Sequence, residues 1–248
     1  MRRLMLVFLM SVALSDSSQA QSTEFGAEDV ELGQHLAALL RAGRSVISEH
    51  QDLINDPSIG DKGLDGDRVV NEAIALYAEQ AGEPPLAPDT PIQERRLATA
   101  LIEAMREVVD EHKSEIDTVG VGFKGFIPAV FGRLVGERFT EKARSEAMLR
   151  VTAPVDLVRN RKATPDEWEH TVIESRFSRP DWPEGKAYTE LVEVDGRPAF
   201  RMLIPEYYSA SCLTCHGEPA GELDVTGYPK EGGAEGDLAG AISITLFK

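Results

Sequence analysis

The spacing of apolar residues predicts that the first half of the chain is mostly helical. Over residues 28–54, apolar or small side chains and one histidine recur at alternating intervals of four and three residues, which places them on one helical face. These positions are Leu32, Leu36, Leu39, Gly43, Val46, His50 and Leu53. Pro57 and Gly60 are expected to end this helix. A shorter helix is predicted over residues 69–80 and a third over residues 92–116, on either side of a linker rich in glycine and proline.

The composition changes in the middle of the chain. Residues 119–139 are rich in glycine and phenylalanine, and glycine allows a backbone to approach another group closely. A short helix is predicted over residues 165–176. Its signals are Thr164 as the N-cap, Pro165 at the first helical position and Glu167 closing a capping box.

Strand patterns follow this short helix. Residues 187–194 alternate in strand fashion, and the Asp195-Gly196 pair is typical of a tight hairpin turn, so residues 199–204 are expected to return as the partner strand. Residues 239–247 are apolar and favour a last strand. The pattern therefore predicts an α+β protein, with a helical N-terminal region followed by a part that contains a sheet.

The N-terminus has the pattern of a signal peptide. Two arginines precede an apolar run over residues 4–14, which is short for a membrane span, and Ser18-Gln19-Ala20 offers small residues to a signal peptidase. We predict a signal peptide over residues 1–20; an uncleaved anchor is the alternative. No later stretch reaches transmembrane length. The exported protein is therefore expected to be soluble, and periplasmic in a host with two membranes.

The charge of the chain excludes some classes of partner. The formal net charge is −16, and loss of residues 1–20 would make it one unit more negative. Nucleic-acid binding is not expected, because it needs a basic surface that displaces counterions from phosphate. An anionic membrane surface is disfavoured for the same reason, whereas a basic protein partner suits this charge.

The two cysteines of the chain stand three residues apart, in Cys212-Leu213-Thr214-Cys215-His216. This is the pattern of c-type heme attachment. Two residues between the cysteines place both sulfurs on one turn, matched to the two vinyl groups of heme, and the following histidine supplies an imidazole nitrogen to the iron. We therefore predict a covalent heme c, attached at Cys212 and Cys215, with His216 as the proximal iron ligand. Attachment takes place outside the cytoplasm, in agreement with the predicted export.

Other uses of two close cysteines fit the sequence less well. A thioredoxin-like redox pair normally opens a helix after an early strand of a βαβ unit, whereas this pair is expected in a loop near the C-terminus. A zinc site needs further cysteine or histidine ligands at matching spacing. A disulfide that closes such a small loop would stabilise the fold little.

Residues around the motif occur in an order that is typical of one family. They are Gly122-Phe123-Lys124-Gly125-Phe126-Ile127-Pro128-Ala129, Arg159-Asn160, Pro165-Asp166-Glu167-Trp168-Glu169, Tyr207-Tyr208, the stretch from Cys212 to Gly217, Gly236-Asp237 and Gly240-Ala241-Ile242-Ser243. On these residues the chain resembles the PAS-like single-heme c-type domains, sometimes called the Tll-like heme domain and long catalogued as a domain of unknown function. The resemblance covers roughly residues 119–248.

The resemblance implies an antiparallel PAS-like sheet that holds the heme, with helices packed ahead of it. It also implies redox or gas sensing, or electron transfer. The predicted division is thus a signal peptide over residues 1–20, a helical region over residues 21–118 and a PAS-like heme-binding domain over residues 119–248. Some members of the family resemble each other in using a cysteine from the helical front as the sixth iron ligand. This chain departs from that pattern, because both of its cysteines belong to the motif.

The sixth iron ligand must therefore be another residue, a water molecule or none. His50 and His112 each continue the apolar face of a predicted helix, so both are candidates for the distal position. His50 is the first choice, because Gly43 two turns earlier leaves that face open. The competing interpretation of each is a buried histidine bonded to a carbonyl or a carboxylate. Met105, Met148 and Met202 are further candidates, although methionines at helical spacing usually fill the core. The remaining histidines, His35 and His170, are expected on the surface.

Some other side chains suit contact with heme. Arg159, Arg161 and Arg201 carry guanidinium groups that match the carboxylates of heme propionates, although ordinary ion pairing in an acidic chain is the favoured interpretation. Tyr207 and Tyr208 precede the motif and are candidates for packing on the heme edge.

Three functions remain open from the sequence. The first is an exported heme protein that senses redox state or a diatomic gas and signals to a partner protein. The second is a periplasmic electron carrier that serves a redox partner. The third is a thiol-disulfide oxidoreductase that uses Cys212 and Cys215 without heme. Catalysis on an organic substrate is not expected, because the sequence contains no recognisable nucleophile–base pair, phosphate loop or second metal constellation.

Overall fold

A computed structural model describes residues 26–143 and 146–247. The predicted signal peptide lies outside these residues. Within them, no helix combines the length and the apolar character that crossing a membrane requires.

Helices make up the N-terminal region, as predicted. They are α1 (Ala27–Glu49), α2 (Gln51–Asn55), α3 (Gly66–Ala81) and α4 (Ile92–Ile116). A further helix, α5 (Pro128–Lys142), lies in the segment rich in glycine and phenylalanine and was not predicted; Pro128 stands at its first helical position. The helix predicted over residues 28–54 is divided at His50, whose backbone angles (φ −89°, ψ 6°) lie outside the helical range. Helix α3 begins where the Asp65 side chain accepts a hydrogen bond from the Arg68 amide, and it ends at Gly82 in the left-handed region (φ 82°).

A four-stranded antiparallel sheet follows. Its strands are β1 (Ala147–Thr152), β2 (Tyr188–Val194), β3 (Arg197–Tyr207) and β4 (Leu238–Phe247), in the order β1-β4-β3-β2. The predicted hairpin is confirmed: Asp195 (φ 51°) and Gly196 (φ 75°) join β2 to β3. The predicted last strand is confirmed too, as β4, which pairs with both β1 and β3.

Strand β1, Ala-Met-Leu-Arg-Val-Thr, was not predicted. In the structure its side chains do not alternate regularly between buried and exposed positions. The strand exists because β4 pairs with it over its whole length, from Ala147 opposite Leu246 to Thr152 opposite Ala241. A pairing between segments so distant in sequence leaves no local signal.

The short helix predicted over residues 165–176 is present, but its N-terminus was placed wrongly. The N-cap is Asp166, not Thr164: the Asp166 carboxylate accepts from the Glu169 amide at 2.8 Å, and the Asp166 amide donates to the Glu169 carboxylate at 2.9 Å. Helix α6 spans Glu167–Val172 and continues as a π-helical turn to Phe177. The Thr164 carbonyl instead accepts a hydrogen bond from Arg150 at 2.7 Å, which ties this segment to β1.

Both faces of β3 and β4, the middle strands of the sheet, are covered. One face shares a continuous buried cluster with α1, α3, α4 and α5, in which Met202 and Ile244 of the sheet meet Leu36, Met105 and Phe131 of the helices. The other face packs under α6 and the π-helical turn. The buried residues of this smaller cluster are Val172, Ile173, Phe177, Leu203 and Ala241.

Helix α5 lies unusually close to β1 at Gly136. A Cβ atom added to Gly136 would lie 2.6 Å from the carbonyl oxygen of Leu149, a distance that a real side chain cannot occupy. The close backbone approach expected for the glycine-rich segment is therefore confirmed at this position. A Cβ atom at Gly132, one turn earlier, would meet only the flexible Arg44 side chain, at 3.0 Å.

We predict that Gly136→Ala destabilises the protein by about 1–3 kcal/mol, because the added methyl group pushes α5 away from a backbone oxygen that cannot yield. Urea unfolding followed by circular dichroism measures the loss. Gly132→Ala is the matched control in the same helix, and it should cost clearly less because the Arg44 side chain can move aside. Equal effects of the two substitutions would contradict this interpretation of the α5–β1 contact.

Candidate functional site

The Cys-x-x-Cys-His motif lies directly after the longest strand of the sheet. Strand β3 ends at Tyr207, a 3-10 turn covers Ala210–Cys212, and a single helical turn, α7 (Leu213–His216), carries the rest of the motif. Both cysteines are free thiols and partly buried. The turn is closed by the Gly217 amide, which donates to the Leu213 carbonyl at 2.9 Å. Local folding therefore places both sulfurs and the imidazole on consecutive turns of one short segment.

The imidazole of His216 is held through one of its two ring nitrogens. Nδ1 lies 2.8 Å from a carboxylate oxygen of Glu231 and 3.3 Å from the hydroxyl of Tyr208. The Tyr208 ring stacks on the imidazole with centroids 5.0 Å apart. Because a carboxylate only accepts hydrogen bonds, this contact favours a proton on Nδ1 and leaves Nε2, on the opposite edge of the ring, to accept.

Arg159 connects Glu231, which accepts from His216, to the backbone of the motif. Its Nε and Nη2 atoms donate to the two carboxylate oxygens of Glu231 at 2.8 and 2.9 Å. Nη2 also donates to the Cys215 carbonyl at 2.9 Å, and Nη1 donates to the Asp224 carboxylate at 2.6 Å. One guanidinium group therefore fixes the motif, the acceptor of His216 and the loop after the motif relative to one another.

These contacts stabilise the ionised forms of Glu231 and Asp224. Burial works against ionisation of Glu231, but hydrogen bonds from Arg159 and His216 outweigh it and lower the pKa of this carboxyl. The pKa of Asp224 lies far below its usual range despite burial, because the Thr226 hydroxyl, Arg159 and backbone amides donate to the carboxylate. The site is thus an ionised cluster of one cation and two anions.

The neighbouring thiol and phenol are held in their neutral forms. Burial raises the pKa of Cys215, and the charge of Asp224 raises it further. Burial, with the charge of Glu231, raises the pKa of Tyr208 to about 12. Cys215 is therefore not an activated thiolate in this environment.

The C-terminal end of helix α1 reaches the segment that leads into the motif. The hydroxyl groups of Ser48 and Ser211 lie 3.3 Å apart. Arg41 and Arg44, on the same side of α1, donate to the Glu206 carboxylate at the end of β3, at 2.6 and 3.1 Å. The helical front and the motif therefore form one neighbourhood.

A protein-family model described as Tll0287-like matches residues 86–246. The chain belongs to the Tll0287-like family. The matched residues include α4, α5, the whole sheet and the motif, so the match begins further toward the N-terminus than the resemblance over residues 119–248. No curated protein and no solved structure matches the chain.

The two candidates for the distal iron ligand, His50 and His112, lie in the helical N-terminal region of this Tll0287-like chain. His50 follows the end of α1, two residues after Ser48, and its Nε2 lies 2.6 Å from the Glu72 carboxylate. His112 lies in α4, where its Nδ1 bonds to the Val108 carbonyl at 2.8 Å and its ring lies 5.1 Å from that of Phe126. Both rings are partly buried, and each has a bond of the kind that the competing interpretation describes.

One histidine was assigned wrongly to the surface. The side chain of His35 is only 10% exposed, because it bonds to Glu94 of α4 and stacks on Tyr77 of α3 at 5.2 Å. Its neighbours along the helix are polar, but its partners come from other helices, which sequence spacing does not reveal. Met105 and Met202 fill the core as expected, whereas Met148 is exposed on β1.

Two of the three arginines considered for heme propionates are engaged elsewhere. Arg159 serves the cluster described above, and Arg201 of β3 donates to Asp166 at 2.8 Å and to the buried Glu169 at 3.2 Å. These contacts agree with ion pairing inside the chain. Arg161 is exposed in the 3-10 turn Arg161–Ala163.

Sequence reasoning did not find Glu231 or Asp224 as site residues. Both lie in the loop between α7 and β4, which is rich in glycine and acidic residues and has no periodic pattern. Arg159 stands 65 and 72 positions earlier in the chain, so only the folded loop brings the three together. The single available signal was the family resemblance, which includes Arg159.

We predict that Asp224→Asn destabilises the protein by about 1–3 kcal/mol at neutral pH, because it keeps the shape of the side chain but removes the charge opposite Arg159. Folding lowers the pKa of Asp224 from its ordinary value of 3.8. Its contribution to stability is therefore complete above that pH and is lost as the pH falls below it. Thermal unfolding between about pH 6 and pH 3 should show a steeper loss for the wild type than for the variant.

Asp181→Asn is the control for this prediction, since Asp181 also pairs with an arginine, Arg179, but is 71% exposed. It should change the melting temperature little at neutral pH. A wild type and an Asp224→Asn variant with parallel pH profiles would show that Asp224 does not hold the loop as described.

Proposed function

We propose that this chain is an exported single-heme c-type cytochrome domain that senses redox state or a diatomic gas. In this proposal heme c is attached at Cys212 and Cys215, and His216 is the proximal iron ligand. The observation that carries the proposal is the contact between His216 Nδ1 and Glu231 at 2.8 Å, on the same short segment as two free thiols.

The residues present fit a heme iron. Histidines that bind metals usually donate their second ring nitrogen to a carboxylate, a carbonyl or water, which fixes the tautomer and aims the free nitrogen. His216 has this arrangement, with Nδ1 engaged and the opposite edge of the ring available. The two thiols lie on the turn immediately before it and are not joined to each other. When bound, heme would supply an iron centre that exchanges single electrons.

The thiol-disulfide alternative has less support. A thiol-disulfide catalyst attacks through a thiolate, and reactive cysteines of this kind have a lowered pKa. The pKa of Cys215 is raised by burial and by Asp224 instead, so Cys215 could serve only as the second, resolving thiol of such a pair. The histidine beside the pair, with Nδ1 bonded to Glu231, instead has the arrangement of a metal-binding histidine.

The sixth iron ligand stays a prediction, with His50 as the first candidate and His112 as the second. The contact between Ser48 and Ser211 brings the end of α1 to the motif, but His50, two residues after Ser48, lies on a different side of the helix and faces Glu72. Binding through Nε2 would require His50 to give up its present bond to Glu72. His112 has the opposite arrangement, since Nδ1 is bonded and Nε2 is on the other edge of the ring.

An electron carrier is the second candidate function. The His216 side chain is 28% exposed, so the motif lies at the surface, where a redox partner could reach it. The acidic chain would suit a partner with a basic docking surface. Both functions place the protein in the periplasm, and neither includes catalysis on an organic substrate.

The heme proposal predicts a specific spectrum. Protein exported from a host that matures c-type cytochromes should give the reduced pyridine spectrum of a heme with two thioether bonds, and the heme should resist extraction with acidified acetone. Cys215→Ser should leave one thioether and shift the band accordingly, and the Cys212→Ser/Cys215→Ser pair should release the heme. Thr214→Ser, inside the same turn, is the control and should keep both bonds. A colourless wild type, beside a control cytochrome that matures normally, would end the heme proposal.

The choice of distal ligand predicts which variant opens the iron to gas. His50→Ala should convert a six-coordinate heme into one that binds carbon monoxide readily in its reduced form, while His112→Ala should leave the native spectrum unchanged. Absorption spectra of the ferrous protein with and without carbon monoxide measure this. The reverse result would assign the position to His112. A wild type that already binds carbon monoxide as readily as the variants would show that neither histidine is the ligand.

A further inference from the structure

We propose that Arg159 and Glu231 together set the reduction potential of the iron: Glu231 through its bond to His216, and Arg159 as the positioning residue that holds Glu231 and offsets its charge. This inference rests on the proposed attachment of heme at Cys212 and Cys215. It assigns a role to two residues that lie outside the heme-attachment motif.

The geometry of the Glu231 carboxylate is determined from two sides. One oxygen, Oε2, lies 2.8 Å from His216 Nδ1 and 2.9 Å from Arg159 Nη2, while the other, Oε1, lies 2.8 Å from Arg159 Nε. The two parallel bonds to the guanidinium fix the plane of the carboxylate. The same oxygen, Oε2, therefore accepts hydrogen bonds from the arginine and from the imidazole at once.

Arg159 is itself held by groups that cannot easily move. Its Nη1 atom pairs at 2.6 Å with Asp224, whose side chain is fully buried. Nη2 binds the Cys215 carbonyl, and the backbone carbonyl of Arg159 accepts from the Tyr228 hydroxyl at 3.2 Å. Through Arg159, the position of Glu231, which accepts from His216, thus depends on the folded loop.

The electrostatic consequence has opposite signs for the two residues. A carboxylate that accepts the Nδ1 proton increases the electron density on the imidazole, which stabilises ferric iron over ferrous iron and lowers the reduction potential. The positive charge of Arg159 on the same carboxylate weakens this effect. Loss of the Glu231 charge should therefore raise the potential, and loss of the Arg159 charge should lower it.

The redox step itself is simple. Ferric iron takes one electron from a mediator dye in the titration and becomes ferrous, and no bond to His216 forms or breaks. The Nδ1 proton stays between His216 and Glu231 in both states. If Glu231 and Arg159 had only structural roles, replacing them would not be expected to shift the reduction equilibrium in opposite directions.

The test is a mediator-coupled potentiometric titration of the heme-loaded protein. Glu231→Gln keeps an amide oxygen that can accept from Nδ1, and it should raise the equilibrium constant for reduction by about tenfold, about 59 mV for one electron. Arg159→Gln should lower that constant. Arg138→Gln is the matched control, because Arg138 also pairs with acids, Glu107, Glu111 and Glu141, but on α4 and α5 away from the motif. It should leave the potential unchanged.

Shifts in the same direction for the two site variants, or shifts below about threefold in the constant, would overturn the inference. If Arg159→Gln does not accumulate, Arg159→Met replaces it: methionine also removes the charge, so the potential should again lie below that of the wild type. A methionine variant at or above the wild-type potential would then overturn the role of Arg159.

The pyridine spectrum separates this inference from the proposed function. A preparation without covalent heme contradicts the proposed function and the tuning role together. A normal spectrum of two thioethers with unmoved potentials overturns only the role of Arg159 and Glu231.

Discussion

The rest of the structure depends on the burial of strand β3 on both of its faces. Phe200, Met202 and Ile204 point into the cluster shared with the helices, whereas Arg201 and Leu203 point to the side covered by α6. A charged side chain in such a strand is tolerated only with partners, and Glu169 and Asp166 supply them. Because β3 is fixed from both sides, the segment that leaves its C-terminal end has a defined position. The Cys-x-x-Cys-His turn begins five residues after this strand, with Tyr208 packed on its histidine.

Where the physical signal is local, the sequence alone predicts the structure well. The bounds of α4 agree with the prediction at both ends, because a regular apolar face and a preceding proline are visible within 25 residues. The β2–β3 hairpin follows from two turn residues that accept a positive φ. The motif, too, is local, so its residues could be assigned to one turn before any fold was known.

Long-range features could not be predicted in the same way. Strand β1 needs β4 as a partner nearly a hundred positions later, and its own side chains do not alternate. His35 is buried by Tyr77 and Glu94, which belong to two other helices. The cluster of Arg159, Asp224 and Glu231 is assembled by an irregular loop. The N-cap of α6 is a different case: its capping box, Asp166 with Glu169, is local and visible in the sequence, and the prediction placed the cap two residues too early. The division of the chain at residue 118 stays a prediction, although α4 shares its core with the sheet.

The order of the strands has a consequence for how the chain assembles. Strand β4 is central in the sheet but comes after the motif in the sequence. Until the chain beyond Leu238 is present, β1 has no neighbour and β3 has only β2. In a chain that is made from the N-terminus onward, Cys212, Cys215 and His216 therefore appear before the strand that completes the sheet.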